Sequence, residues 1–226
     1  MKALCELYRS AKALADAGTH VVSVDEKTGM QALAPVAPDL PTRCGDDAKR
    51  EFEYTRNGTA TLIAGIDVAN GKIVAPTLGE TRTEEDFANH IAGTIDTAPD
   101  ATWIFVADQL NTHMSETLVK LVAERCGDEQ PLGVKGKSGI LESKATRKQY
   151  LENPQHRIRF MFTPRHASWM NQIEIWFGIL SRKALRRGVF RTVGELIQRV
   201  REFIVYYNAS MAKPFKWTYG AAPCTA

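Results

Sequence analysis

Trp103-Ile104-Phe105-Val106-Ala107-Asp108 runs five consecutive apolar residues into a carboxylate. A continuous apolar run, unlike an alternating one, suits a strand covered on both faces in the middle of a sheet. The carboxylate that follows is costly beside a core unless water, a partner or a metal satisfies it. Upstream, Thr83-Glu84-Glu85-Asp86 resembles a capping box ahead of Phe87, Ile91 and Ile95 at helical spacing. Before that, Thr61 to Val68 and Lys72 to Thr77 flank Asn70-Gly71, a hairpin signal in which both turn positions take positive φ. His20 to Val24 reads as a strand ending at the Asp25 to Gly29 turn, and Met30 to Pro35 as a returning strand before a Pro-rich loop. Met1 to Gly18, with charges at intervals, reads as a short amphipathic helix.

Downstream of Asp108, Ser115 can cap a helix carrying Leu118, Leu121 and Val122, closed by Gly127. A polar stretch with weak periodicity follows to His156 and reads as a surface insertion. Ile158, Phe160 and Phe162 alternate as a strand that Pro164 ends. Ser168 is placed to cap a helix whose apolar stripe is Trp169, Ile173, Trp176, Phe177, Leu180 and Ala184, so these aromatics read as core. Thr192-Val193-Gly194-Glu195 is a second capping box, ahead of Leu196, Val200, Phe203 and Tyr207. Three antiparallel strands, then alternating helix and strand, then helices, is the order of an α/β ribonuclease H-like fold with a mixed central sheet flanked by helices. One domain, 1–226, is expected, with a leading helix at 1–18, a basic insertion at 128–156 and a C-terminal helix and tail at 189–226.

The 226 residues are 44% hydrophobic and 24% charged, the balance of a globular protein, and no apolar run approaches the ~18 residues of a membrane helix. Cys5, Cys44, Cys126 and Cys224 lie far apart, which signals neither a zinc site nor a disulfide framework and points to a reducing cytoplasm. The net charge of +3 conceals a division. Between Gly133 and Arg201 fifteen basic residues face four glutamates, +11 in that segment and therefore −8 elsewhere. Such asymmetry favours a polyanionic partner, because bound phosphates release their counterions.

Three carboxylates stand out by position. Asp25 and Asp108 follow strands, and Glu174 sits one turn into the helix after the last strand. Strand ends of open α/β sheets border the crevice where ligands bind. Three converging carboxylates can hold hard divalent ions, foremost two Mg²⁺. Glu174 shares a polar or small stripe with Asn171, Gly178 and Ser181, and Gly178 leaves space there for a DNA backbone. Asp67, the rival first carboxylate, suits a strand-edge role beside the hairpin turn.

Val24-Asp25-Glu26-Lys27-Thr28, the segment from Trp103 through Asp108 and Asn111 to His113, and Thr163-Pro164-Arg165-His166-Ala167-Ser168-Trp169-Met170-Asn171-Gln172-Ile173-Glu174-Ile175-Trp176-Phe177 with Arg186-Arg187-Gly188 after it resemble DDE transposases of the insertion sequence 630 and mariner superfamily. The resemblance runs from about residue 19 to the C-terminus. It implies that Asp25, Asp108 and Glu174 are the catalytic, metal-binding residues. It also implies Mg²⁺-dependent cleavage at transposon ends, with Mn²⁺ able to substitute, and joining of the freed 3′-hydroxyl to target DNA, commonly at TA. Double-stranded DNA is the implied partner, bound by a homodimer, in a bacterial cytoplasm at the nucleoid. Asn111 and His113 are expected to orient Asp108 or touch the scissile DNA. Arg165, His166 and Asn171, at the helix start, are expected to position a phosphate. Lys183, Arg186 and Arg187, with Arg191, are expected to track phosphates without reading bases. Two departures stand out: Glu174 follows Asp108 at an interval of 66 positions, more than is typical of the superfamily, and only 24 residues precede Asp25 where relatives carry helix-turn-helix regions. The chain therefore reads as a catalytic core without end-recognition domains; the alternative is a non-catalytic DNA-binding remnant.

Overall fold

The computed structural model describes residues 1–42, 44–48 and 51–219. Cys224 and the end of the expected tail lie outside the described residues. The chain order is α1 (Lys2–Asp16), β1 (Thr19–Pro35), β2 (Tyr54–Asp67), β3 (Ile73–Gly79), α2 (Glu84–Ile95), β4 (Thr102–Ala107), α3 (Glu116–Cys126), α4 (Lys144–Leu151), β5 (Ile158–Phe162), α5 (Ile173–Leu180) and α6 (Val193–Ser210). The described strands form one mixed sheet in the order β3-β2-β1-β4-β5. The β1–β2 and β2–β3 pairs are antiparallel, and β4 and β5 run parallel to β1. This is the ribonuclease H-like arrangement that the order of elements implied.

The continuous apolar run divides between two cores by strand alternation. Trp103, Phe105 and Ala107 face α2, α3 and α4, where Phe87, Ile91, Leu118 and Val122 pack on them. Ile104 and Val106 face the opposite layer, against Leu4, Tyr8 and Ala11 of α1. On that same side Trp176, Leu180, Val200 and Tyr207 of α5 and α6 cover Leu62, Ala64 and Ile66 of β2. Each such fully buried large side chain contributes about 1.5–3 kcal/mol by leaving water. The expected caps hold: Thr83 and Asp86 close a reciprocal box, Ser115 accepts from the Leu118 N–H, and Gly127 ends α3 at φ +67°. At Thr192 the box is looser, since Glu195 takes the Arg191 N–H while Thr192 accepts from Glu195.

Five readings change. Asp25 to Gly29 is not a turn between two strands: β1 continues to Pro35, because the 14-residue β2 is long enough to pair with it throughout. The surplus residues Thr28 and Gly29 form a bulge, with Gly29 at φ +64°. The β2–β3 connection is also longer than a two-residue turn. Asp67 organises it, accepting from the Ala69 N–H and from Asn70 Nδ2, and of the Asn70-Gly71 pair only Gly71 has positive φ. Ser168 does not cap α5; residues 168–170 form a separate 3₁₀ turn and α5 starts at Ile173. Trp169 therefore leaves the apolar stripe and is 52% exposed, edge-on to Tyr219. Finally, the 128–156 segment is not merely superficial. Leu141, Tyr150 and Leu151 enter the core beneath α3, burial that the short, sparse apolar spacing did not signal.

Candidate active site

Parallel β1 and β4 remain in register as far as Ser23 and Val106. Two residues further on each chain stand Asp25 and Asp108, where β4 has ended and β1 continues paired to β2 alone. Asp25 is therefore within a strand, yet it lies at the carboxyl edge of the parallel half of the sheet, the position where such sheets open a crevice. Asn171, fully buried, fixes it from the opposite element: its Nδ2 donates to the Val24 carbonyl at 2.9 Å and to Asp25 Oδ2 at 3.1 Å. The Ser23 hydroxyl donates to Asn171 Oδ1 and accepts the Ile173 N–H. The start of α5 is thus tied to β1, and Glu174, whose own N–H bonds the Asn171 carbonyl, is carried to the same edge.

Electrostatics link the three carboxylates. Burial pushes the Asp25 carboxyl up to about 7; the His113 charge opposes this and the Asp108 charge adds to it. Burial also raises Glu174, with Lys27 pulling down and Asp108 pushing up. Asp108 is thus felt by both other carboxylates. Its own carboxyl is held below the ordinary value despite partial burial, by hydrogen bonds from His113 and the Leu110 N–H. His113 is fully buried, with Nδ1 2.8 Å from Asp108 Oδ1 and Nε2 3.1 Å from Glu26 Oε2. Burial disfavours charge on the ring, but these two carboxylates outweigh it and raise its pKa to about 10. His113 is an imidazolium strung between two acids.

The contacts of His113 decide which atoms suit a metal. Among the described residues, Asp25, Glu26 and His113 bring ligand atoms within 4.8 Å of one another. Both His113 nitrogens are already engaged by carboxylates, however, and Glu26 is one of them. Asp25, Asp108 and Glu174 remain, all hard carboxylate oxygens on three elements, and they do not crowd onto a single point at that spacing. A donor set of this kind suits Mg²⁺ or Mn²⁺ better than softer metals. Buried Asp25, with a carboxyl that is costly to ionise, has the strongest need for a cation.

Other predicted positions divide. His113 is buried against Asp108, the first of its two expected roles, whereas Asn171 is buried against Asp25 and does not face a phosphate as expected. Asn111 is exposed and accepts from Lys144 Nζ at 2.9 Å. Arg165 and His166 are exposed beside Asp108, and His166 holds φ +59°, unusual for a residue with a side chain. Lys183, Arg186 and Arg187 are exposed after α5, where residues Ser181–Leu185 form a π turn. Arg186 and Arg187 line a groove with Lys27 and Arg182. The Arg182 guanidinium lies over Gly178, 3.2 Å from where a Cβ would stand. Sequence reasoning missed Ser23, Glu26 and the contribution of α4. Lys144 Nζ donates to the Gln109 carbonyl, and Arg147 donates to the Met114 and Leu141 carbonyls, bracing the loop after Asp108.

Comparison with known proteins accords with this arrangement. A family model described as DDE superfamily endonuclease matches residues 20–197. Among solved structures, the catalytic domain of Mos1 mariner transposase is similar over 90% of this chain and 78% of that one, at 12% identity and a TM-score of 0.51. The Mos1 transposase paired-end complex with left transposon end matches at 14% identity and a TM-score of 0.37, with 92% of this chain and 60% of that chain covered. This chain thus spans less than two thirds of the transposase chain in that complex. No curated protein matches.

Proposed function

The chain belongs to the DDE superfamily endonucleases, and we propose that it is the catalytic core of a DNA transposase that cuts transposon-end DNA and joins the freed 3′-hydroxyl to a target. What supports this reading is that the Asn171 and Ser23 hydrogen bonds tie the start of α5, which carries Glu174, to β1 beside Asp25, at the sheet edge where Asp108 follows β4. Asp25, Asp108 and Glu174 would hold two Mg²⁺, or Mn²⁺ in their place. Bound there, the ions supply a nucleophilic water or hydroxyl at neutral pH and neutralise the leaving oxygen.

The protein's own groups do the rest. His113 holds Asp108 ionised and in one orientation, Asn171 orients Asp25, and Ser23 fixes the helix that carries Glu174. Lys27, Arg182, Arg186 and Arg187, around the groove on the Glu174 side, supply positive charge to a phosphodiester backbone without selecting bases. The substrate is double-stranded DNA, transposon ends and a target that includes TA, held by a homodimer. The proposed setting is the bacterial cytoplasm at the nucleoid. No described helix is long and apolar enough to cross a membrane.

Alanine at Asp25, Asp108 or Glu174 is expected to abolish Mg²⁺-dependent nicking of supercoiled plasmid carrying the transposon ends, while circular dichroism shows an intact fold. Retained nicking in any of the three would remove that residue from the site, and nicking retained in all three would end the proposal.

A further inference from the structure

A cleft of about 790 Å³ opens directly on Asp108, and its lining includes Lys144, Lys148, Arg165 and His166. Asp108 is the sole carboxylate in that lining. Lys144 and Lys148 are four residues apart on α4 and so project from one face of the helix. The facing wall is the exposed turn after β5 that holds Arg165 and the left-handed His166. Strained backbone of this kind persists only where its surroundings enforce it. The α4 wall is held in place: Arg147 and Lys144 bond carbonyls of the segment around Asp108, and Tyr150 and Leu151 anchor the helix in the core. Lys148 pairs with Glu152 at 3.8 Å and lies 5.9 Å from the Phe162 ring centre, partly exposed contacts too weak to hold it from a phosphate.

We infer that this cleft is a second DNA subsite, in which α4 of the 128–156 segment and the 163–168 turn clasp a phosphodiester backbone on the Asp108 side of the carboxylates. This cleft shares no lining residue with the groove of Lys27, Arg182, Arg186 and Arg187, so the two are separate sources of positive charge. The inference rests on the transposase reading and assigns to the inserted segment a share of substrate binding that the three carboxylates alone do not require.

The test is fluorescence anisotropy with a labelled 30-base-pair duplex over a range of salt and without divalent metal, so that cleavage plays no part. The proteins compared are the wild type, Lys148→Ala/Arg165→Ala, and Arg201→Ala as an exposed control on α6. Each lost phosphate contact flattens the slope of log affinity against log salt by about 0.9, so the double variant is expected to lose about 1.8 and to bind roughly 10- to 60-fold more weakly near 0.1 M salt. Matching circular dichroism and melting curves report the fold. A double variant that keeps the wild-type slope and affinity, or a control that loses as much, overturns the subsite. A wild type with no salt-dependent affinity for duplex overturns the transposase reading itself.

Discussion

His113 shows how one side chain organises the site. Its ring lies against Phe87, at 4.1 Å between centroids, and its two nitrogens reach Asp108 and Glu26. Replacing it with alanine leaves the Glu26 carboxylate buried without its cation, a loss of about 3–5 kcal/mol in urea unfolding. Glu26→Gln/His113→Ala removes that stranded charge, so the double variant is expected to recover a large part of the loss; two purely additive effects would contradict the pairing. Asp108 was legible because a carboxylate directly follows five apolar residues. Glu26 was not, since neighbours on a strand point to opposite faces and only its partner, distant in sequence, reveals it. His90 carries a different burden. It is 1% exposed, Thr77 contacts its Nδ1, and its Nε2 finds no partner among the described residues. Burial lowers its pKa from 6.5 to about 4, against the pull of the Ala75 backbone and Glu26. A base with a native pKa below its unfolded one costs stability as pH falls between the two values. Wild type should therefore lose about 3 kcal/mol more than His90→Leu on acidification from pH 6.5 to 4, measured by chemical denaturation; parallel curves would contradict this.

At the scale of elements, the sheet was readable from its hairpin, its capping boxes and its continuous central strand. Its longest pairing was not. Glycine and polar residues at Asp25 to Gly29 have the composition of a turn, and only the length of β2 makes them a bulged strand. The same limit applies to α4. Its apolar content is low, and it is held by polar side chains reaching backbone carbonyls, a bond type that leaves no periodic trace. Arg147 joins the Met114 carbonyl to the Leu141 carbonyl. Arg147→Met is expected to cost about 1.5–3 kcal/mol, the range for hydrogen bonds to a charged group. Hydrogen exchange should quicken at residues 109–114 while the amides of β4 stay protected. Unchanged exchange in that loop would show that α4 does not brace it.

Over the whole molecule, charge is sorted to match the architecture. The acidic excess lies mostly in the first half of the chain and the basic excess between Gly133 and Arg201. The fold brings the two together, since Asp108 of the acidic half shares a cleft with Lys144, Lys148 and Arg165 of the basic half. Sequence could name Asp25, Asp108 and Glu174, because each sits in a distinctive block. It could not show that Asn171 and Ser23 join two of those blocks, since that join exists only in three dimensions. Iron-directed cleavage of the polypeptide tests the convergence most directly. With Fe²⁺ in place of Mg²⁺, ascorbate and peroxide release hydroxyl radicals that cut the backbone beside the bound ion. Cuts near residues 25, 108 and 174 together, all suppressed by excess Mg²⁺, are the predicted result. Cuts confined to one of these segments, or lying elsewhere, would contradict a shared metal site.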